Sequence, residues 1–265
     1  MIVAGGHRIT KDTIKKLKKK GMLTVLWTID APVNFKPILE TSIYYDHIFC
    51  QGTEAINLLK QNGIKSAHWL PMACSPQHHY PVQTTSNLKK KYVRDIVFVG
   101  SNYPVRQLLF EKLAELDFSI WGPGWEKIPD SSPLRKCIKG GMLKLEEWLE
   151  IYSASKVILA PHYQGFDVKL PVYQASPRVF EALACKAFIM VDRQPDVLSI
   201  FKEEEHLVCY DSVDDLREKI KYYIEHPVER ERIAQNGYEF VIKNHTYIDR
   251  INELLRTIND RTGEK

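Results

Sequence analysis

Short apolar runs alternate along this chain with longer stretches in which apolar residues recur at helical spacing. That alternation predicts an α/β protein with parallel sheets. "MIVAGG" reads as a strand ending in glycines, and "TKDTIKKLKKKG" as a helix capped by Thr10 and stopped at Gly21. "LTVLWTID", "HIFCQG" and "SAHWLP" predict three further strands. Helical segments are expected in "PVNFKPILETSIY" and from Thr53 to Gln61.

The polar stretch "YPVQTTSNLKKKYV" has no period and reads as a linker between domains. A second series follows it. "RDIVFVGS" predicts a strand running into a glycine turn, and "PVRQLLFEKLAEL" the helix after it. "FSIWGPGW", "KVILAPH", "AFIMV" and "EHLVCYDS" add strands, and "LEEWLEIYSAS" and "SPRVFEALAC" add helices. The C-terminal stretch "ERERIAQNGYEFVIKNHTYIDRINELL" is expected to be helical, with Asn236-Gly237 as a weak point. The architecture expected is two Rossmann-like domains, at 1–85 and 86–265, facing each other across a cleft, with the last helix packing back on the first domain. The first domain has about four strands and begins in the middle of a unit, so it reads as truncated.

At 265 residues the chain can bury a substantial core, and 44% hydrophobic against 26% charged residues is ordinary for a soluble protein. A net charge of +4 with acidic residues spread throughout points to an anionic small ligand and away from nucleic acid. The five scattered cysteines form no CxxC pair and read as free thiols. With no signal peptide and no apolar run long enough to cross a membrane, the expected location is cytoplasmic. The lysine run Lys15 to Lys20 carries Ile14 and Leu17; it reads as a solvated helix face, with contact to acidic lipid as the alternative.

Ligands of open α/β sheets bind at the carboxyl ends of strands, where helix N-termini present free N–H groups. In "VGSNYPVR", Gly100 and Ser101 stand at a strand end and Arg106 early in the next helix, a glycine turn with a cation that can grip phosphate. The long segment "APHYQGFDVKLPVYQASPR" leads into a helix started by Ser176 and Pro177. Arg178 in that first turn opposes the helix dipole unless an anion lies nearby. Glu181, one turn later, can accept two hydroxyl hydrogens, as a carboxylate does from a ribose diol. Phosphate for Arg178 and ribose for Glu181 together describe a nucleotide. An ordinary Arg–Glu helix pair is the alternative. "WGPGW", Trp121 to Trp125, reads as a packed turn.

In combination, "VFVGS", "SPRVFEALAC", "HPVERERIAQNG" and "HTYIDR" resemble the C-terminal domain of the spore-maturation CgeB-like proteins, a group of GT-B glycosyltransferases related to the large family 4. The resemblance covers roughly residues 94 to 257, and "GGHRI", "VLWTIDAP", "YYDHIFCQG" and "WLPMACSPQHH" look like the later part of the partner domain. It implies transfer of a sugar from a nucleotide-diphosphate-sugar, a UDP-sugar before others, to a glycan, protein or small-molecule acceptor, with no metal or other cofactor. Glu181 matches the glutamate that binds the donor ribose, Arg106 falls near a basic phosphate-binding position, and Ser101 stands where the larger family often has arginine. One departure concerns the family's E-x7-E pair: the position eight before Glu181 is Tyr173.

His7 and Asp30, at strand ends of the first domain, are candidate catalytic bases. Cys74, His78 and His79 lack a second cluster and do not read as a metal site. A dinucleotide oxidoreductase is excluded by the lack of a G-x-G-x-x-G turn. The competing reading is a catalytically silent nucleotide- or sugar-binding protein that keeps the fold.

Overall fold

The structure, a computed structural model, describes residues 1–5, 9–29, 35–86, 92, 94–162 and 172–262. Its strands form two parallel sheets. The first has the order β1 (Ile2–Ala4), β2 (Val25–Thr28), β3 (His47–Cys50), β4 (Ala67–Trp69). The second comprises β5 (Ile96–Val99), β6 (Phe118–Trp121), β7 (Ile138–Gly140), β8 (Val157–Leu159), β9 (Ile189–Asp192) and β10 (Val208–Tyr210), in the spatial order β10-β9-β8-β5-β6-β7. β7, an edge strand, has no counterpart in the apolar runs of the sequence.

The helices in chain order are α1 (Lys11–Lys19), α2 (Phe35–Ser42), α3 (Thr53–Gln61), α4 (Pro104–Glu111), α5 (Leu145–Ala154), α6 (Pro177–Ala184), α7 (Pro195–Ile200), α8 (Val213–Glu225), α9 (Pro227–Asn244) and α10 (Tyr247–Thr262). α1 starts and stops where its local signals require: the Thr10 hydroxyl accepts the Thr13 N–H, and Gly21 takes a positive φ of 75°. Ile14 is buried, while Lys18 pairs with Asp46 at 2.7 Å and Lys15 lies over the Tyr44 ring.

Alternate residues of the second sheet feed two separate cores. Val97, Ile158, Ile189 and Val191 pack with Val179, Phe180 and Leu183 of α6 on one face. Ile96, Phe98, Val157 and Met190 pack with Phe110 of α4 and Leu216 and Ile220 of α8 on the other. Burial on both faces explains the continuous apolar runs of β5 and β8. In the first sheet, Leu26, Ile48 and Cys50 face Ile14, Ile38 and Leu59 of α1 to α3. The opposite face, with Val25, Trp27 and Phe49, is covered by Leu254 and Ile258 of α10, which returns from the second half of the chain.

Three local expectations are corrected. The helix after β5 ends at Glu111; the chain then tightens into turns that tuck Leu113 and Ala114 into the core. The C-terminal helical stretch breaks at His245-Thr246, where Cys74 N–H donates to His245 O and Tyr247 N–H to Cys74 O. Thr246 and Asp249 there form a reciprocal cap, since Asp249 N–H donates to Thr246 Oγ1 and Thr246 N–H to Asp249 Oδ2. Gly237 is no weak point. α9 runs through it, and glycine is needed there because a Cβ would lie 2.3 Å from His206 O and 2.6 Å from Leu183 Cδ2.

Candidate functional site at the strand-order switch

From β5 the second sheet grows one way through β6 and β7 and the other way through β8, β9 and β10. β5 and β8 are therefore neighbours whose following segments leave in opposite directions, and the crevice beyond their carboxyl ends is where this architecture binds ligands. Gly100 and Ser101 follow β5; Ala160 and Pro161 follow β8. A cleft of about 340 Å³ opens there, lined by Gly100, Ser101, Tyr103, Arg106, Pro123, Gln174, Ser176, Pro177, Arg178 and Glu181, and by Gln51 from the first domain. A hollow of about 400 Å³ between Asp95, Asp117 and Arg217 lies at the opposite, amino ends of β5 and β6, away from these groups.

α6 begins as the sequence predicts. Ser176 is extended at the N-cap (φ −65°, ψ 154°) and Pro177 opens the first turn. Ser176 Oγ caps nothing and is buried without a partner among the described residues. Arg178 turns back along the tip of β5: Nε donates to Val99 O at 2.9 Å, and the guanidinium lies 5.0 Å from the Phe98 ring centroid. Glu181 stands half-buried one turn further on. Burial raises its carboxyl above the ordinary value, and Arg178 opposes the rise.

Arg106 joins the two halves of the switch. Its guanidinium donates to Ser101 O after β5 at 3.1 Å and to Pro161 O after β8 at 3.2 Å. The residue is 6% exposed, and Nε finds no partner among the described residues. Burial first, and the charge of Arg178 second, push the guanidinium down to about 9. The two cations converge, and among the described residues neither forms a salt bridge with a carboxylate.

The tight turn at Trp121 to Trp125 packs, as read, and also shapes the cleft. Trp125 is fully buried and its Nε1 donates to Gly100 O at 2.7 Å. A Cβ on Gly122 would lie 2.1 Å from Gly100 O, and one on Gly100 would lie 2.4 Å from Arg178 Nη2. These glycines are required by close approach of backbone and guanidinium.

Two residues that the sequence reading did not select hold α6 in place. His162, after β8, accepts the Ser176 N–H on Nε2 at 3.0 Å, so its Nδ1 carries the proton given to Asp192 Oδ1 at 2.7 Å. The His162 backbone N–H and Gln194 Nε2 also donate to Asp192. Burial alone would raise the Asp192 carboxyl, but these donors outweigh it and hold the group below its ordinary value. A polar residue at the carboxyl end of each of two adjacent strands, β8 and β9, was the available signal.

The first domain meets this site through the segment after β3. Gln51 Nε2 donates to Ile29 O at 2.6 Å and to Gln174 Oε1 of the second domain. Thr53 donates through N and Oγ1 to Asp196, at 2.8 and 2.7 Å, so Asp196 caps α3 across the domain boundary where Gly52 has no side chain to do so. His7, Asp30 and the middle of the long segment before α6, at 163–171, lie outside the described residues. Cys74 points to the carbonyls of Val241 and His245, and His78 and His79 bond to Ser75. All five cysteines are buried and free. Among the described residues no helix is long and apolar enough to cross a membrane.

Residues 106–256 match the glycosyl transferase-like family. The spore protein CgeB of Bacillus subtilis is 21% identical over 265 residues, covering 96% of this chain and 80% of that protein. Among solved structures, HepE of Anabaena in complex with UDP and glucose superposes with a TM-score of 0.71 at 10% identity, over 98% of this chain and 78% of that one. Sucrose-phosphate synthase of Thermosynechococcus elongatus superposes with a TM-score of 0.70 at 11% identity, over 100% and 74%. The fold shared with these structures is GT-B, and the chain belongs to the glycosyl transferase-like family.

Proposed function

We propose that this glycosyltransferase takes its sugar from a UDP-sugar held at the β5/β8 switch and transfers it to a hydroxyl-bearing acceptor. The observation that carries the reading is the convergence of Arg106 and Arg178 at the N-terminus of α6, with Glu181 one turn along the same helix. Two guanidiniums that form no salt bridge with a carboxylate among the described residues, at the positive end of the α6 dipole, favour a diphosphate. Glu181 accepts the ribose hydroxyls. HepE, a structural neighbour, is solved with UDP-glucose, which supports the same ligand class here.

In the reaction the bond from the anomeric carbon to the β-phosphate oxygen breaks, a bond to the acceptor oxygen forms, and the acceptor proton passes to a base. Negative charge builds on the departing diphosphate, where Arg178, Arg106 and the α6 N-terminus stabilise it. His7 and Asp30 are the bases proposed on the first domain.

Tyr173, at the place of the family's first glutamate, favours a second reading: a protein that binds the donor without turning it over. Incubation with UDP-glucose, UDP-galactose and UDP-N-acetylglucosamine, with free UDP measured and titration calorimetry alongside, separates the readings. Slow release of UDP into water is expected. UDP binding with no release supports the silent binder, and no binding of UDP overturns both.

A further inference from the structure

We propose that Gln51, on the first domain, recognises a hydroxyl group of the transferred sugar through its side-chain oxygen. The inference rests on the donor reading above and adds the residue that selects the sugar.

Gln51 is 5% exposed and lines the cleft. Both hydrogens of its amide nitrogen are used, one on Ile29 O at 2.6 Å and one on Gln174 Oε1. Its Oε1 is buried with no partner among the described residues. Exchanging the amide's oxygen and nitrogen would set an oxygen against the Ile29 carbonyl, so the backbone fixes which atom is left free. A buried acceptor without a donor is costly, and sites with such atoms discriminate strongly for a ligand that supplies the hydrogen.

An acceptor oxygen repels phosphate and attracts a hydroxyl, so the cleft has two chemically distinct ends. Along α6, Glu181 lies one turn beyond the N-terminus, Ser176 sits at it, and Gln174 and Gln51 lie past it. A nucleoside at Glu181 with its diphosphate at the helix N-terminus leaves the next group, the sugar, against Gln174 and Gln51. Ser176 Oγ, unpartnered among the described residues, is a hydroxyl at the helix N-terminus and can donate to the diphosphate there. Gln51 and Gln174 belong to opposite domains, so this end of the site forms only when the domains are together.

The test is calorimetric titration of wild type, Gln51→Ala and Gln51→Asn with UDP, with UDP-glucose, UDP-galactose and UDP-N-acetylglucosamine, and with deoxy analogues of the best-bound sugar. Thermal melting checks that both variants fold. The variants should bind UDP within about twofold of wild type and lose roughly tenfold for the preferred UDP-sugar. One deoxy analogue should lose the same factor on wild type and nothing further on Gln51→Ala. Equal weakening of UDP and UDP-sugar, or additive losses for every deoxy analogue, would overturn the assignment while leaving the donor site standing. No binding of UDP to wild type would remove the donor reading, and this inference with it.

Discussion

Arg106 and Arg178 share one aromatic ring: their guanidinium carbons lie 5.1 and 5.0 Å from the centroid of Phe98. Aromatic faces attract each cation, but the two cations repel each other. Their separate tethers, Val99 O for one and Ser101 O and Pro161 O for the other, keep them together against that repulsion. Replacing Arg178 with alanine should weaken UDP binding roughly tenfold to a hundredfold, from charge-assisted hydrogen bonds of about 1.5–3 kcal/mol. Lysine should restore only part, because it keeps the charge and loses the fork. Titration calorimetry at two salt concentrations checks both, and full affinity in Arg178→Ala would take the residue out of the phosphate site.

Glu181→Ala should weaken UDP by a similar factor, and Glu181→Gln by less, because the amide oxygen still accepts one ribose hydrogen. The same change should leave affinity for 2′,3′-dideoxyuridine diphosphate nearly unaltered. A uniform loss across both nucleotides would show that the carboxylate acts on something other than the diol.

The contact between Gly122 and Gly100 gives a prediction about stability. Gly122→Ala places a carbon against Gly100 O and should cost about 1–3 kcal/mol of strain, read by urea denaturation. It should also weaken UDP, because Gly100 lies against Arg178. Gly141→Ala, where nothing lies within 4 Å of the new carbon, is the matched control and should be close to neutral.

A pH dependence follows from Glu54, beside the cap that Asp196 provides for α3. The residue is 6% exposed, and among the described residues neither carboxyl oxygen has a hydrogen-bond partner in good geometry. Burial first, and the nearby Asp196 charge, raise it from 4.5 to about 7, although the N–H groups of Glu54 itself and of Tyr173 temper the rise. Because the folded value lies above the unfolded one, this group's contribution to stability is complete below about 4.5 and is lost as pH rises through about 7. Wild type should therefore melt progressively lower than Glu54→Gln between pH 5 and pH 8, with on the order of 3 kcal/mol at stake. Calorimetric melting curves for the two proteins that stay parallel over that range would refute it.

Much of this was legible because it is local. The runs "DIVFVG" and "KVILA" are strands from their own composition, and Pro177 marks a helix start by its fixed φ. Gly100, Ser101, Arg106, Ser176, Arg178 and Glu181 meet because each follows a strand that the pattern had already placed. What escaped depends on partners distant in the chain. Nothing near Gln51 announces Gln174, and the only cue to His162 and Asp192 is that each is a polar residue at the end of an apolar strand. Gly237 looked like a helix breaker because the His206 carbonyl that requires it comes from elsewhere. The break at Thr246 carried a readable T-x-x-D cap, but the helical period on both sides masked it.

The return of α10 to the first sheet has a mechanical consequence. Two strands of backbone, not one, cross between the halves of the molecule: the stretch after Trp69 and the bend at His245-Thr246, which is itself bonded to Cys74. A body held by a single tether can swing and twist in any direction, whereas two crossings bonded side by side at Cys74 and Thr246 act as one short hinge. Opening the cleft would part Gln51 and Thr53 from Gln174 and Asp196, the pairs bonded across it. A donor entering that cleft meets the same facing residues each time it closes.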